Sequence, residues 1–347
     1  VAERREETNM PGEAKRGKRS ASRALPGILA ALLFLAAALG GFVFRELSLI
    51  RRPDPAAEPT LPPAEESFEA DPDSGEDTIL PEEIRWETPA PAAGKSELIN
   101  ILLIGQDRRP GEGRARSDSM ILCSINKETD RITLVSLMRD MYVPIPGYSD
   151  NRINAAYAFG GMELLSQVIE QDLGLLPDGC VEVDFDGFLR VMAAAAPLEI
   201  ELNAAEAGYL NAGTGSNLTE GIHPLNEEQL LTYARMRSVG RADYERTERQ
   251  RRVLTAAFQK LRTRPITELF TMAEEVLPCI TTNLDNTEIL NLIFLVVSRH
   301  MTMGESRRIP ADGTYTPQTI RGMSVLVPDL GENSRLLQEY INEINEE

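Results

Sequence analysis

The chain has 347 residues, with 36 Lys and Arg against 54 Asp and Glu, giving a formal charge of −18 at pH 7. That balance excludes a general nucleic-acid binder as the expected class, because only a local basic patch can work against the net field. A hydrophobic fraction of 42% excludes disorder throughout, and an odd, widely spaced set of cysteines (Cys123, Cys180, Cys279) excludes a disulfide framework or a zinc knuckle.

The first 23 residues carry seven basic groups against four acids, and residues 24–44, ALPGILAALLFLAAALGGFVF, carry no charge. Twenty-one residues at a helical rise reach about 30 Å, enough to cross a bilayer. The charge asymmetry predicts a retained signal anchor with residues 1–23 cytoplasmic and the rest extracytoplasmic in a single pass. A cleaved signal peptide is the competing reading, given the small residues Ala36, Ala37, Ala38, Gly40 and Gly41. Residues 45–94 follow as a linker. Its stretch from 53 to 94 holds nine Pro and twelve Asp or Glu but a single base, Arg85, which predicts an extended acidic tether. Within it Leu80, Ile84 and Trp86 offer local docking points.

A folded domain is expected over 95–347. Apolar runs at 98–104, 120–125 and 132–138 read as strands, with a turn starting at Gly105. Asn154 is expected to cap a helix whose Leu165, Ile169 and Leu173 share one face. A strand at 180–185 and a short helix at 188–195 come next, and residues 200–224, rich in Asn, Gly and Thr, read as an irregular excursion. Helices are predicted at 226–234, 243–262, 267–276 and 286–299; in the last, the run 289–297 is too short to span a membrane and reads as buried core, or as an opening toward a lipid groove. A strand at 322–328 and a final helix with Leu336, Tyr340 and Ile344 on one face complete one α/β domain, without an internal repeat.

Two clusters carry chemistry. Asp107, Arg116, Asp118, Arg139 and Asp140 all fall at predicted strand ends, where neighbouring strands would gather them on one rim of the sheet. Carboxylates there can hold a divalent cation, and guanidiniums offer planar forks to phosphate oxygens; loop-end ion pairing is the alternative. With only His223 and His300 in the chain, any metal is expected to be hard and oxygen-bound, such as magnesium. The second cluster is Arg235 and Arg237, then Asp243, Arg246 and Gln250. On a helix from Asp243, Arg246 and Gln250 lie about 300° and 340° around, sharing a face that continues into Val253 and Leu254. Arg235 and Arg237, two apart, would project together only from an extended segment after a helix ending near Tyr233, whereas Arg251 and Arg252 fit solvated, ion-paired arginines.

The ordered segments ILLIGQD (101–107), RSDSM (116–120), SLMRD (136–140), RINAAYAFGG (152–161), YARMR (233–237) and DYERTERQ (243–250) resemble the LytR-CpsA-Psr family of envelope phosphotransferases. The resemblance implies a central mixed β-sheet packed by helices on both faces, with an apolar passage for a lipid chain. It further implies a polyprenyl-pyrophosphate-linked glycan as donor, and peptidoglycan or another envelope polymer as acceptor, at the cell membrane. Asp107 and Asp118 look like the metal carboxylates, for magnesium or else manganese. Arg116, Arg139, Arg235, Arg237, Arg246 and Gln250 look like the pyrophosphate-binding set, with Asp243 supporting it. Arg139, Asp118 and Asp140 are the expected catalytic residues, Asp118 and Asp140 being alternative proton acceptors. Three departures stand out: Met138 replaces a frequent proline, Arg152 replaces a lysine, and RVMAAAAPLEIEL after Phe188 lacks an acidic, paired-glycine pattern. Hydrolysis of the lipid pyrophosphate, or noncatalytic binding of the carrier, are the alternative functions.

Overall fold

Three long strands form the middle of a sheet: β1 (Leu98–Gln106), β2 (Ser117–Asn126) and β3 (Arg131–Leu137). They belong to a computed structural model that describes residues 45–53, 60–72, 74–87, 89, 97–106, 114–236, 239 and 243–342. Residues Glu46–Glu347 make one unit. After β3 come a small ladder, β4 (Tyr142–Val143) with β5 (Asn151–Arg152), and the helix α1 (Ile153–Leu173). This helix makes the crossover to β6 (Gly179–Asp184), which pairs parallel with β1.

The second half adds α2 (Phe185–Ala195), β7 (Leu198–Leu202), α3 (Ala204–Thr214), β8 (Gly221–Leu225), α4 (Glu227–Arg235) and α5 (Asp243–Leu261). It continues through α6 (Ile266–Val276), β9 (Ile280–Thr282), α7 (Asn286–Ser298), β10 (Thr302–Met303) and β11 (Arg307–Ile309) to the hairpin β12 (Tyr315–Ile320) and β13 (Met323–Pro328), then α8 (Leu330–Asn342). Among the described residues the main sheet runs β10-β3-β2-β1-β6-β9, with β11 sharing the β3 edge, and it mixes parallel and antiparallel pairs.

Both faces of the sheet are covered, as expected. Leu102, Leu122 and Val135 meet Leu165, Ile169 and Leu173 of α1 and Leu337 and Ile341 of α8 on one face. On the other, Ile121, Ile125, Ile132 and Leu134 meet Leu254 and Phe258 of α5 and Leu292, Leu295 and Val296 of α7. A separate apolar cluster joins α2, α3, α4 and α5 around the β7–β8 pair.

Several expectations need correction. Residues 200–224 are not irregular: they complete a β-hairpin around α3. Asn203 accepts from the Glu206 N–H in a capping box, and Gly215 closes the helix in the left-handed region at φ 66°. The Asn and Gly that suggested a loop are the helix's own stop signals. Asn154 is buried inside α1, whose N-cap is Arg152, and the helix kinks at Gly160–Gly161. Gly105 and Gln106 remain in β1 and do not turn. Arg235 is the last residue of α4 and does not follow it. In α8 the buried apolar positions are Leu330, Leu337 and Ile341, while the predicted Leu336 and Tyr340 pack against the same core partly buried, at the edge of the inward face; Ile344 lies outside the described residues. The core reading of α7 also fails, since none of its residues is buried.

The acidic segment expected as a tether lies against the domain over much of 60–87. The Leu61 N–H donates to Phe159 O at 2.7 Å, and the Thr78 N–H to Thr319 O at 2.9 Å. Trp86 donates from Nε1 to Asp150 Oδ2 at 2.7 Å, and it packs with Phe68 and Ile84 against Tyr142 and the β12–β13 hairpin. Leu80 stays exposed. The proposed span 24–44 is outside the described residues, among which no helix is long and apolar enough to cross a membrane.

Two buried charges give tests of this packing. Arg249 of α5 is 1% exposed; it donates to Glu206 Oε1 at 2.8 Å and to the carbonyls of Met236 and Val239 at 2.9 and 3.0 Å. Arg249→Met removes the nearest cation from the buried Glu206 carboxylate, leaving it Arg252 at 3.8 Å, and should lower the urea-unfolding free energy by about 3–5 kcal/mol. Asp172, in the last turns of α1, is buried, and desolvation pushes its carboxyl from 3.8 up to about 7. A folded pKa above the unfolded one means that the native state holds the extra proton between those values, so stability falls as pH rises from about 4 to about 7. Urea titrations of Asp172→Asn should therefore gain on the parent chain across that window, by up to ~4 kcal/mol.

Candidate active site

The rim of the sheet is shaped by an interruption in the β1–β2 ladder. Gly105 pairs with Ser119 and Gln106 with Ser117, so Asp118 is the extra residue of a β-bulge. Bulges re-aim a side chain out of the ladder. A Cβ on Gly105 would meet the Ser119 Cβ at 3.2 Å, a crowding that glycine avoids.

β3 ends beside this bulge. Met138 is buried, and its N–H donates to Ile309 O at 2.8 Å, a bond that a proline there would lack. The chain then turns and presents Arg139, whose Nη1 donates to Asp118 Oδ1 at 2.7 Å. Arg139 Nε lies 3.6 Å from Asp140 Oδ1, and Arg152 Nε approaches the same oxygen at 3.5 Å. Asp140 is thus bridged by two guanidiniums, one from the turn and one from β5.

α5 crosses above the bulge with the predicted face downward. Arg246, 3% exposed, donates from Nη2 to Asp118 O at 3.3 Å, and Gln250 Oε1 accepts from Ser119 Oγ at 2.9 Å. Arg252 makes the expected intrahelical pair with Glu248. Arg251 corrects the prediction: it is buried and donates to Ser136 Oγ of β3, and burial lowers its guanidinium to about 10.

Arg116 joins the rim from the residue before β2. Its Nε is 3.4 Å from Glu69 Oε2, and Nη2 donates to Ser67 O at 2.8 Å. Burial lowers its pKa, Glu69 opposes that, and the nearby Arg152 adds to the lowering. Arg152 also pairs with Asp71 and donates to Ser324 O at 2.8 Å.

The structure therefore brings together Arg116, Asp118, Arg139, Asp140, Arg246 and Gln250. Arg235 is exposed at the end of α4, and the contacts above do not involve it. Asp107, Arg237 and the side chain of Asp243 lie outside the described residues. Among the described residues no three His, Cys, Asp or Glu groups gather as a metal cluster.

Three contributors were missed in the sequence. Arg152 was noticed only as a substitution, yet it holds Asp140. Arg249 fastens Met236 and Val239, which flank the segment carrying Arg237. Glu182 of β6 is buried and accepts from Gln106 and Tyr157, fixing the end of β1 from which Asp107 continues. The strand reading of 180–185 does not single out Glu182, whose place between Val181 and Val183 suits an exposed carboxylate as well as a buried one.

The LytR_cpsA_psr family model matches residues 77–339. The chain is 30% identical over 247 residues to the regulatory protein MsrR of Staphylococcus aureus (strain COL), covering 71% of this chain and 75% of that one. It is 37% identical over 173 residues to the polyisoprenyl-teichoic acid–peptidoglycan teichoic acid transferase TagU of Oceanobacillus iheyensis, covering 48% of this chain and 52% of that one. In fold it is similar to the LytR-CPS2A-psr family protein YwtF (TagT) with bound octaprenyl pyrophosphate lipid, with a TM-score of 0.55 and 23% identity over 73% of this chain and 99% of that one. The sheet, its two helical layers and the matched segments thus agree with one assignment: the chain belongs to the LytR-CpsA-Psr family.

Proposed function

We propose that this chain transfers a glycosyl-phosphate polymer from a polyprenyl-pyrophosphate carrier to peptidoglycan or a related envelope acceptor, outside the cell and anchored by residues 24–44. The observation that carries the reading is the meeting of Asp118 with Arg139 at 2.7 Å under Arg246 and Gln250 of α5. The same α5 face continues into Leu254 and Phe258, which pack with Leu292 and Leu295 over the sheet and are only partly buried. Guanidiniums at one end and an apolar layer at the other suit a diphosphate carrying a long hydrocarbon tail. The relatives support this chemistry, one being named as a teichoic acid transferase and a structural neighbour having been solved with octaprenyl pyrophosphate.

In this reading Arg139, Arg116 and Arg246 bind the diphosphate and spread the charge that develops on its oxygens; Arg235 and Arg237 would add to the clamp. The acceptor sugar hydroxyl attacks the phosphorus that bears the glycan, forming the new P–O bond. The bond from that phosphorus to the bridging oxygen breaks, and polyprenyl phosphate leaves. The hydroxyl proton passes to a carboxylate, with Asp118 in reach of the rim and Asp140 positioned between Arg139 and Arg152.

A hard divalent cation is the metal this reading calls for: Asp118 offers oxygen from a partly exposed carboxylate, and Asp107 follows β1 in the sequence. Asp118 and Asp107 would hold magnesium, which when bound supplies Lewis-acid neutralisation of the diphosphate.

The test is reconstituted transfer with the full chain, labelled polyprenyl-pyrophosphoryl glycan and peptidoglycan oligomers. A covalent glycan–peptidoglycan product that requires magnesium and vanishes in Asp118→Ala is expected, and Arg139→Ala should lower kcat/KM by about 10²–10³. Release of free glycosyl phosphate without linkage would instead assign a hydrolase, and tight donor binding without turnover a carrier-binding module.

A further inference from the structure

α7 has two apolar faces, and only one of them has a partner. Leu292, Leu295 and Val296 face the sheet. Leu290, Ile293, Phe294 and Val297 face outward and are 40%, 53%, 74% and 62% exposed. Their spacing of three, four and seven puts them within one stripe about 100° wide, bordered on one side by the exposed polar residues Asn291 and Ser298 and continuous on the other with the half-buried Ile289 and Val296. Among the described residues, the other large apolar side chains exposed to this degree (Leu80, Leu176, Tyr209 and Ile222) are dispersed along the chain, so the concentration on one helix calls for an occupant.

The N-terminal end of this helix is tied to the segment that follows the uncharged run. The Arg51 N–H donates to Ile280 O at 2.9 Å and the Thr282 N–H to Arg51 O at 3.1 Å, which fastens the segment beside β9. Arg52 donates from Nη1 to the Thr282 and Leu284 carbonyls, and from Nη2 to Asn286 Oδ1 at 2.6 Å, on the first residue of α7. Between residue 45, where charge resumes after 24–44, and residue 52 the chain can reach at most about 25 Å.

We infer that the outward face of α7 lies in the bilayer interface, as a second membrane contact made by the folded domain; the inference rests on the reading that residues 24–44 span that bilayer. A tether this short keeps the first turn of α7 close to the lipid, and an apolar stripe beginning one turn later suits an interfacial helix. The driving force is hydrophobic and not a general attraction to anionic headgroups, because the chain carries a charge of −18. A second copy is the weaker occupant: the stripe is about 10 Å long and one helix wide, against roughly 800 Å² per partner in a stable dimer.

Depth-dependent quenching tests this on the full chain in phosphatidylglycerol/phosphatidylethanolamine vesicles. Trp86, the sole native tryptophan, packs near Tyr142 and serves as the internal reference. The parent chain should float with the vesicles after carbonate extraction. The indole introduced by Phe294→Trp or, separately, by Val297→Trp should lose emission to lipids brominated on their acyl chains, beyond the loss seen for Trp86, and should resist aqueous iodide. Carbonate stripping of the parent chain would overturn the anchor reading and this inference with it. A carbonate-resistant chain whose new indoles are quenched by iodide and spared by bromolipid would overturn the inference alone. Protection from both quenchers, with concentration-dependent cross-linking, would assign the face to a second copy and overturn it likewise.

Discussion

Because Gly105 pairs with Ser119 and Gln106 with Ser117, Asp118 has no place in the β1–β2 ladder, and its carboxylate must find its partner elsewhere. It finds Arg139, which leaves β3 two residues past its end. Everything else at the rim is arranged around that displaced residue. α5 reaches the two consecutive residues 118 and 119 through Arg246 and Gln250, one turn apart, and Arg152 steadies Asp140 from behind. Remove the extra residue and β2 would keep regular alternation, with no carboxylate turned toward the guanidiniums.

A chain with a large negative charge builds this arginine-lined corner from ion pairs set at different depths. Arg249 and Glu206 are 1% and 3% exposed, and Glu206 spends its other oxygen on capping α3, so that pair is sealed and structural. Arg139 and Asp118 are 23% and 35% exposed, which leaves the guanidinium open to an incoming anion. The guanidiniums of Arg116 and Arg152 are set deeper than that of Arg139, while their partners on the acidic segment, Glu69 and Asp71, face solvent. Global charge therefore says little about the site; local geometry decides it.

Periodicity made most of the elements legible. The three central strands, the α1 face of Leu165, Ile169 and Leu173, and the α5 face carrying Arg246 and Gln250 follow from spacing alone, because local chain geometry determines which side chains share a side. The failures have a common cause in contacts distant along the chain. Asn203 and Gly215 signalled a loop because a cap and a turn use the same residues, and only packing against β7 and α4 selects the helix. Proline and like charge predicted that 53–94 would stay extended, but they carry no information about the carbonyls of Phe159 and Thr319 to which Leu61 and Thr78 donate. Arg251 looked solvated for the same reason: its partner, Ser136, is 115 residues away. Asp107 and Arg237 lie outside the described residues, and their place at the site rests on strand-end position, spacing and the family motifs.

Met138 shows how a departure from a family pattern can be read physically. A proline before the Arg-Asp pair would fix φ and favour an extended residue ahead of it, holding the turn by restricting the backbone. Methionine gives up that restriction but keeps an N–H, and the N–H is used: it donates to Ile309 O at 2.8 Å, one step beyond the Leu137–Ile309 pairing of β3 with β11. The Met138 side chain is itself buried, with Thr247 of α5 against its sulfur. The position is therefore held by a strand bond on one side and by α5 on the other. Arg139 emerges from the same place in the fold, its direction set by pairing and packing where a proline would have set it through the ring.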